Sequence, residues 1–183
     1  STPKPSSAAS DVYKRQSVYG SLIYMSSIPG GWIADRITGT RGATLIGAIL
    51  IIIGHICLSL PFAMVGLFTS MFFIIVGSGL MKPNISNIVG RLYPENDVRM
   101  DAGFVIFYMS VNMGALVSPI ILQHYIDIRN FHGGFLIAAI GMALGLVWYL
   151  LFNCKTLGSI GMKPTNPLLS LIHISEPTRR TPI

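Results

Sequence analysis

The chain carries one lysine, Lys82, inside a long apolar stretch, and Pro83 follows it directly. An ammonium group at membrane depth costs at least ~2.5–3.5 kcal/mol on insertion scales, so a lysine in this position is by default functional. Lys82 precedes Arg91 by about nine residues, roughly 13 Å of helix, which is too deep for easy contact with the interface. We therefore predict that the protein handles a charged group within a bilayer. The alternative is a structural ion pair between helices.

Pro83 is expected to alter the helix that carries Lys82. Proline has no backbone N–H, so the carbonyl of Gly79, four residues earlier, loses its helical donor and the helix tends to bend. Such interruptions are tolerated in membranes where the backbone lines a cavity or where neighbouring groups satisfy the freed carbonyl. The sequence predicts a helix bend at Pro83.

Two polar residues, Tyr108 and Asn112, lie four positions apart in another apolar stretch and share one helix face. A phenol and an amide together can bind both carbonyl and amino groups. From spacing alone, a polar pair inside hydrocarbon is more often a contact between helices than a ligand site. Tyr24 shares a face with small residues, which is typical of tight helix packing; these are Gly20, Ser27 and Gly31.

The elements that position these residues are apolar helices. Hydrophobic residues make up 51% of the chain and charged residues 11%, and the mean hydropathy is +0.62. The charged fraction is about half that of a soluble domain. Five stretches have about the 20 residues needed to cross a bilayer. The sequence predicts an all-α membrane protein with transmembrane helices near residues 17–34, 42–60, 66–89, 102–123 and 133–152.

The two ends of the chain are related at the nucleotide level. Residues 11–16 can be encoded by gat gtg tat aag aga cag, and the reverse complement of that sequence encodes residues 169–174. The pair resembles a transposase end used in DNA sequencing libraries. We predict that residues 1–16 and 169–183 are translated adapter and disordered, flanking a reading frame truncated at both ends. Source codons that differ from these would contradict the hypothesis, and the alternative is a pair of polar tails.

Charge outside the tails indicates an orientation. Residues 17–168 hold eight basic and five acidic residues, a net charge of +3 against +6 for the whole chain, so a nucleic-acid partner is not indicated. The loops on one side hold six basic residues and the other side holds Arg129. This positive-inside bias predicts a protein of the cytoplasmic membrane, in contact with lipid, whose Asp35–Arg41 loop is cytoplasmic. The six are Arg36, Arg41, Arg91, Arg99, Lys155 and Lys163.

The first basic loop carries a dense motif in residues 30–41, with the sequence GGWIADRITGTR. It is similar to the G-x-x-A-D-R-x-x-G-x-R loop between the second and third helices of the major facilitator superfamily. An ordinary polar turn would not need this combination of residues. The resemblance implies a cytoplasmic gate motif that holds helix ends together, formed by Gly31, Asp35, Arg36, Gly39 and Arg41.

Two further segments narrow the resemblance. Residues 77–86, GSGLMKPNIS, resemble the G-x-G-x-x-K-P-N-x-S segment on the fourth helix of proton-coupled oligopeptide transporters. Residues 104–114, FVIFYMSVNMG, resemble that family's F-x-x-x-Y-x-x-x-N-x-G signature on the fifth helix. The resemblance covers residues 17–168 and is closest in type to bacterial di- and tripeptide permeases. It implies helices two to six of a twelve-helix transporter, a partial N-terminal six-helix bundle.

The resemblance also implies a function and its residues. It places Lys82, Tyr108, Asn112 and Tyr24 in the substrate pocket and gives Lys82 a part in proton coupling. The chain is expected to be a fragment of a proton-coupled symporter that imports di- and tripeptides. The fragment alone is expected to be inactive. Its partners would be small peptides and the missing helix 1 and helices 7 to 12. The coupling ion is a proton, and no cofactor or metal is expected.

Two other functions stay open. Lys82 would also serve a nitrate or other anion carrier of the same family, and an acidic motif on the missing first helix would favour peptides instead. A small membrane scaffold, complete as written, would require start and stop codons near residues 17 and 168. No acid lies within the predicted spans, so the counter-charge of Lys82 is expected outside this chain. Enzymatic activity is not expected, because no nucleophile–base pair, metal-ligand set or phosphate loop is present.

Overall fold

The computed structural model describes residues 7–61, 63–94, 96–127 and 131–167, and within them the secondary structure is helical. A π-helical turn, Ala34–Thr38, joins the second helix to the third. The predicted all-α class is confirmed. In chain order the helices are α1 (Ser7–Met25), α2 (Ser27–Ile33), α3 (Gly39–Ser59), α4 (Ala63–Arg91), α5 (Arg99–Asp127) and α6 (Phe131–Leu157).

Four helical stretches of the described chain are long and apolar enough to cross a membrane: Ser10–Ser59, Met64–Arg91, Arg99–Gln123 and His132–Leu157. The first has 50 residues, which as one straight helix would measure about 75 Å against ~30 Å of hydrocarbon. It reverses direction instead at Gly39, whose φ is 74°. This reversal divides it into two of the five predicted spans.

The contacts with α4 demonstrate the reversal. From the N-cap of α2 onward, later residues meet later residues of α4, since Ser26 lies against Ile75 and Gly30 lies against Gly79. Along α3 the order is inverted, because Gly47 lies against Gly77 while residue 54 lies against residues 70 and 74. Helix α2 is therefore parallel to α4, and α3 is antiparallel to it.

Helix α3 lies between α4 and α6, and glycines set its approach to α4. A Cβ atom added at Gly47 would lie 2.6 Å from the carbonyl oxygen of Gly77, and one added at Gly77 would lie 2.7 Å from the carbonyl oxygen of Gly47. Small residues of this kind let transmembrane backbones touch. Helix α6 runs antiparallel to α3, because the Arg41 side chain reaches the Asn153 carbonyl at 3.2 Å while residues 58 and 132 meet at the opposite end.

Helix α5 is exposed along its apolar length and contacts α4 close to the loop between them. There the Phe104 ring faces Gly90, and the Tyr93 ring faces Gly103. The Asp97 carboxylate begins α5 by accepting a 2.9 Å hydrogen bond from the backbone N–H of Arg99, whose guanidinium also donates to it at 2.8 Å. These hydrogen bonds from Arg99 hold the pKa of Asp97 below its usual range.

The N-terminal end differs from the disorder predicted for residues 1–16. Helix α1 begins at Ser7, so residues 7–16 are helical. Neither glycine nor proline interrupts them, and Asp11 lies 3.9 Å from Lys14 one turn later, an arrangement that favours a helix. The adapter origin stays a prediction, since conformation does not test it. Residues 169–183, for which disorder is also predicted, lie outside the described residues.

Candidate functional site

Lys82 and Tyr24 meet between α4 and α1. The ammonium nitrogen of Lys82 lies 5.5 Å from the centroid of the Tyr24 ring. A cation over an aromatic face is attracted by the negative potential of the ring, by about 0.5–1 kcal/mol in water and about 2 kcal/mol when desolvated. The structure therefore brings together two of the four residues assigned to the pocket by resemblance. Both side chains are exposed in this chain.

The ammonium group of Lys82 has no carboxylate within salt-bridge distance in the part of the chain that the structure describes. The ion pairs found there are Asp11 with Lys14 and Asp97 with Arg99, both outside the apolar core of the spans. A structural ion pair for Lys82 thus finds no partner among these residues. Because the Tyr24 ring does not neutralise a full charge, the ammonium group keeps its capacity to bind an anion.

Asn84, for which the sequence predicted no role, fixes α2 against α4. Its side chain is 2% exposed, and its amide nitrogen donates to the Leu80 carbonyl at 2.7 Å and to the Gly30 carbonyl at 3.3 Å. One turn away, the Ser26 hydroxyl lies 2.9 Å from the Ile75 carbonyl. These contacts hold the chain that carries Tyr24 beside Lys82. The sequence signal for this role was an amide side chain within an apolar stretch, because a buried amide needs hydrogen-bond partners.

Helix α4 continues through Pro83, which lies inside its 29 residues. The missing N–H of proline leaves the Gly79 carbonyl without its helical donor. The backbone of Gly79 also lies against Gly30 and Ser26. The bend predicted at Pro83 stays a prediction.

Tyr108 and Asn112 lie on one exposed face of α5. The Tyr108 ring stacks on Phe104, with centroids 6.4 Å apart, and meets the Phe107 ring edge-on at 5.4 Å. Neither polar group joins α5 to another helix within the described residues, so the alternative of an interhelical contact is not formed there, and the pocket role of the pair stays a prediction. The structure does not bring this pair into contact with Lys82.

The α2–α3 turn, for which the sequence predicts a gate motif, binds the segment that follows α6. We call residues 158–167 the post-α6 segment. The Asp35 carbonyl accepts a 2.9 Å hydrogen bond from the backbone of Asn166, and the backbone N–H of Arg41 donates to the Gly161 carbonyl at 3.0 Å. The side chains of Asp35 and Arg36 form no ion pair with each other within the described chain. A Cβ atom added at Gly31 would have nothing within 4 Å.

Two glycines with positive φ meet where the post-α6 segment crosses this turn. Gly39 has a φ of 74° and Gly161 has a φ of 72°, values that side chains rarely adopt. A Cβ atom at Gly39 would lie 2.8 Å from the Gly161 carbonyl oxygen, and one at Gly161 would collide with the Thr40 hydroxyl. The close approach therefore requires glycine on both sides.

Gly161→Ala is expected to release the post-α6 segment from the turn. The added Cβ atom has no room and should destabilise this contact by about 1–3 kcal/mol. Hydrogen exchange of the Arg41 amide should then be at least about fivefold faster. Gly158→Ala is the matched control, because Gly158 has a φ of 52° but nothing within 4 Å of the added Cβ. Equal exchange of the Arg41 amide in both variants would contradict the role of this contact.

The helices and the polar groups inside them define a multi-pass membrane protein. Residues 42–167 match the family model described as PTR2, POT family. The chain belongs to the POT family. This finding confirms the resemblance to proton-coupled oligopeptide transporters that the motifs of α4 and α5 predicted.

Named relatives and solved structures agree with this assignment. The di-/tripeptide transporter of Lactococcus lactis subsp. lactis (strain IL1403) is 46% identical over 152 residues, which cover 83% of this chain and 31% of that protein. Two solved structures of a POT family transporter, one in complex with 5-aminolevulinic acid and one with a thioalcohol-conjugated peptide, are 88% identical with a TM-score of 0.82. In each case the match covers 83% of this chain and 31% of the solved chain. The chain thus spans about a third of the length of the relatives it matches.

Proposed function

We propose that this chain is a segment of a proton-coupled symporter that imports di- and tripeptides across the cytoplasmic membrane. The observation that carries the proposal is the Lys82 ammonium group, which lies in an apolar helix against the Tyr24 ring and has no carboxylate beside it among the residues that the structure describes. A cation left without an acid suits the terminal carboxylate of a peptide, since hydrogen bonds between charged groups are about twice as strong as neutral ones. The di-/tripeptide transporter relative supports the same substrate class.

Tyr108 and Asn112 are proposed to contact the remaining polar groups of the peptide. Counted from the contact between Gly90 and Phe104, Lys82 and Asn112 each lie eight residues along their helix, about 12 Å. Both residues therefore reach a similar depth from the same end of the bundle. Tyr108 lies one helical turn nearer that end than Asn112. Its phenol and the Asn112 amide can meet peptide carbonyl and amino groups, while Lys82 meets the carboxylate.

Proton coupling is proposed to act through the charge of Lys82. A peptide carboxylate can pair with the ammonium form of a lysine and not with the neutral amine. Peptide binding and protonation of Lys82 would then support each other. The proton is the coupling ion, and no cofactor is needed for this cycle.

Transport itself belongs to the longer protein. Rocking between two access states requires a second helix bundle, and the matched relatives are about three times as long as this chain. The basic turns and the post-α6 segment meet at one end of the bundle, through Arg41 with Gly161 and Arg91 with Thr165. We propose that this end is cytoplasmic, which follows the positive-inside rule.

A gradient-driven uptake assay tests the proposal. The longer transporter that contains residues 17–168 is reconstituted in liposomes with an alkaline lumen, and entry of a labelled dipeptide and of labelled nitrate is measured. Accumulation of the dipeptide that a protonophore collapses is the expected result. Accumulation of nitrate in place of dipeptide would favour an anion carrier, and entry of neither would contradict both transport functions.

Tyr24 gives a further prediction about the same site. Tyr24→Leu removes the aromatic face under Lys82 and should lower the initial rate of dipeptide uptake about 2- to 30-fold, the range that a cation–π contact supplies. Tyr24→Phe is the matched control, because it keeps the ring and loses the hydroxyl. If Tyr24→Phe and Tyr24→Leu transport the dipeptide equally, the ring contact has no part in transport.

A further inference from the structure

A pocket lined by two basic side chains lies at the end of the bundle that carries the basic turns. It lies between the last turn of α4 and the post-α6 segment and has a volume of about 750 Å³. Its lining holds two basic side chains and no acidic one: Arg91, Ser159, Ile160, Gly161, Met162 and Lys163. The residues proposed for peptide binding are not among them.

The guanidinium group of Arg91 is oriented but not neutralised. Its Nε donates to the Asn87 side-chain oxygen at 2.8 Å, and its Nη2 donates to the Thr165 hydroxyl at 2.8 Å. Both acceptors are uncharged, and no carboxylate lies within salt-bridge distance among the described residues. The same is true of Lys163. Two hydrogen bonds thus fix the direction of a cation whose charge stays available.

The balance of charge in the pocket favours an anion. Arg91 is the last residue of α4, and a helix C-terminus contributes the equivalent of about half a negative charge. Arg91 and Lys163 contribute two full positive charges, so the pocket stays net positive. A guanidinium group also offers paired N–H donors that match the geometry of a phosphate.

The position of the pocket indicates the source of the anion. Helix α4 is long and apolar enough to cross the membrane, so its last residue lies where hydrocarbon gives way to headgroups. Ile160 and Met162 add an apolar wall beside the two cations, and Met162 is 60% exposed. A lipid phosphate with its glycerol meets both the charged and the apolar walls, whereas a free phosphate ion would use the charged wall alone.

We propose that this pocket binds the phosphate group of an anionic lipid headgroup from the adjacent leaflet. Basic pockets between helices at the cytoplasmic face have the chemistry for such headgroups. Contacts of the post-α6 segment with Arg91 and with the α2–α3 turn build the pocket, so a bound lipid would hold these three elements together. The inference does not depend on which substrate the transporter carries.

Lipid retention by the 183-residue chain in detergent tests the proposal. Native mass spectrometry measures the apparent affinity for phosphatidylglycerol and for phosphatidylcholine. Arg91→Gln and Lys163→Gln should each weaken phosphatidylglycerol binding about fivefold, and the double variant about 30-fold, with phosphatidylcholine unaffected. Lys155→Gln is the matched control, because it removes one exposed charge from the same end of the bundle and does not line the pocket.

Two outcomes would overturn the proposal. One is phosphatidylglycerol binding that is unchanged in the pocket variants or that falls equally in Lys155→Gln, which would indicate overall charge alone. The other is displacement of the lipid by inorganic phosphate beyond that caused by chloride at matched ionic strength, which would indicate a site for free phosphate. Lys163→Gln alone keeps the test decisive if the Arg91 variant does not fold, since Lys163 lies in an exposed segment.

Discussion

Lys82→Ala is expected to slow gradient-driven dipeptide uptake strongly in the transporter that contains this segment. Loss of a hydrogen bond to a charged group, worth about 1.5–3 kcal/mol, should lower the initial rate about 10- to 100-fold. The ammonium group is the charge that the spans offer to a peptide carboxylate, and its ring contact with Tyr24 cannot take over that role. Initial rates in proteoliposomes with an imposed proton gradient give the measurement.

Two variants separate binding from coupling at this position. Lys155→Ala is the matched control, because Lys155 is an exposed lysine in the last turn of α6 and should transport like the native protein. Lys82→Arg keeps the charge but cannot release a proton. It should therefore retain exchange of labelled for unlabelled dipeptide while losing accumulation. Native rates in Lys82→Ala would reject the role assigned to Lys82.

Gly47→Ala is expected to cause a large loss of stability by forcing α3 away from α4. Its Cβ atom would lie 2.6 Å from the Gly77 carbonyl oxygen and 2.8 Å from the Met81 backbone nitrogen. Backbone atoms cannot rotate away as a side chain can, so the two helices must separate, at a cost of about 1–3 kcal/mol. Thermal unfolding of the chain in detergent should shift to lower temperature.

Gly145→Ala provides the control for this packing prediction. Gly145 lies on α6, and nothing lies within 4 Å of an added Cβ. Alanine should be neutral there or stabilise the helix by up to about 1 kcal/mol, since it is the better helix former. If both variants unfold at the same temperature, the contact between Gly47 and Gly77 does not hold α3 against α4.

Hydropathy predicted the helices but not their ends. The third predicted span, residues 66–89, appears as α4 over Ala63–Arg91, and the fifth, residues 133–152, appears as α6 over Phe131–Leu157. Hydropathy marks the part of a helix that lies in hydrocarbon, whereas backbone hydrogen bonding continues through polar residues into the headgroup region. Residues 7–16 show the same effect, since local propensity extends α1 beyond the apolar residues.

Contacts between distant residues were the part that the sequence could not predict. The motif on α4 indicated that Lys82 matters, but the approach of Tyr24 depends on how Asn84 and Ser26 join α2 to α4. These bonds link residues about 50 positions apart, and neither composition nor periodicity carries that information. The hydrogen bond from Arg41 to Gly161 could not be predicted either, because the sequence shows only a glycine in a linker at that position.

The link between peptide and proton movement is tested most directly by dipeptide-driven acidification. Liposomes that contain the longer transporter and a pH-sensitive dye in the lumen are mixed with dipeptide at equal internal and external pH. We predict that inward movement of dipeptide acidifies the lumen in the native protein and not in Lys82→Ala. Entry of labelled dipeptide without acidification, or acidification driven by nitrate and not by dipeptide, would contradict proton-coupled peptide transport.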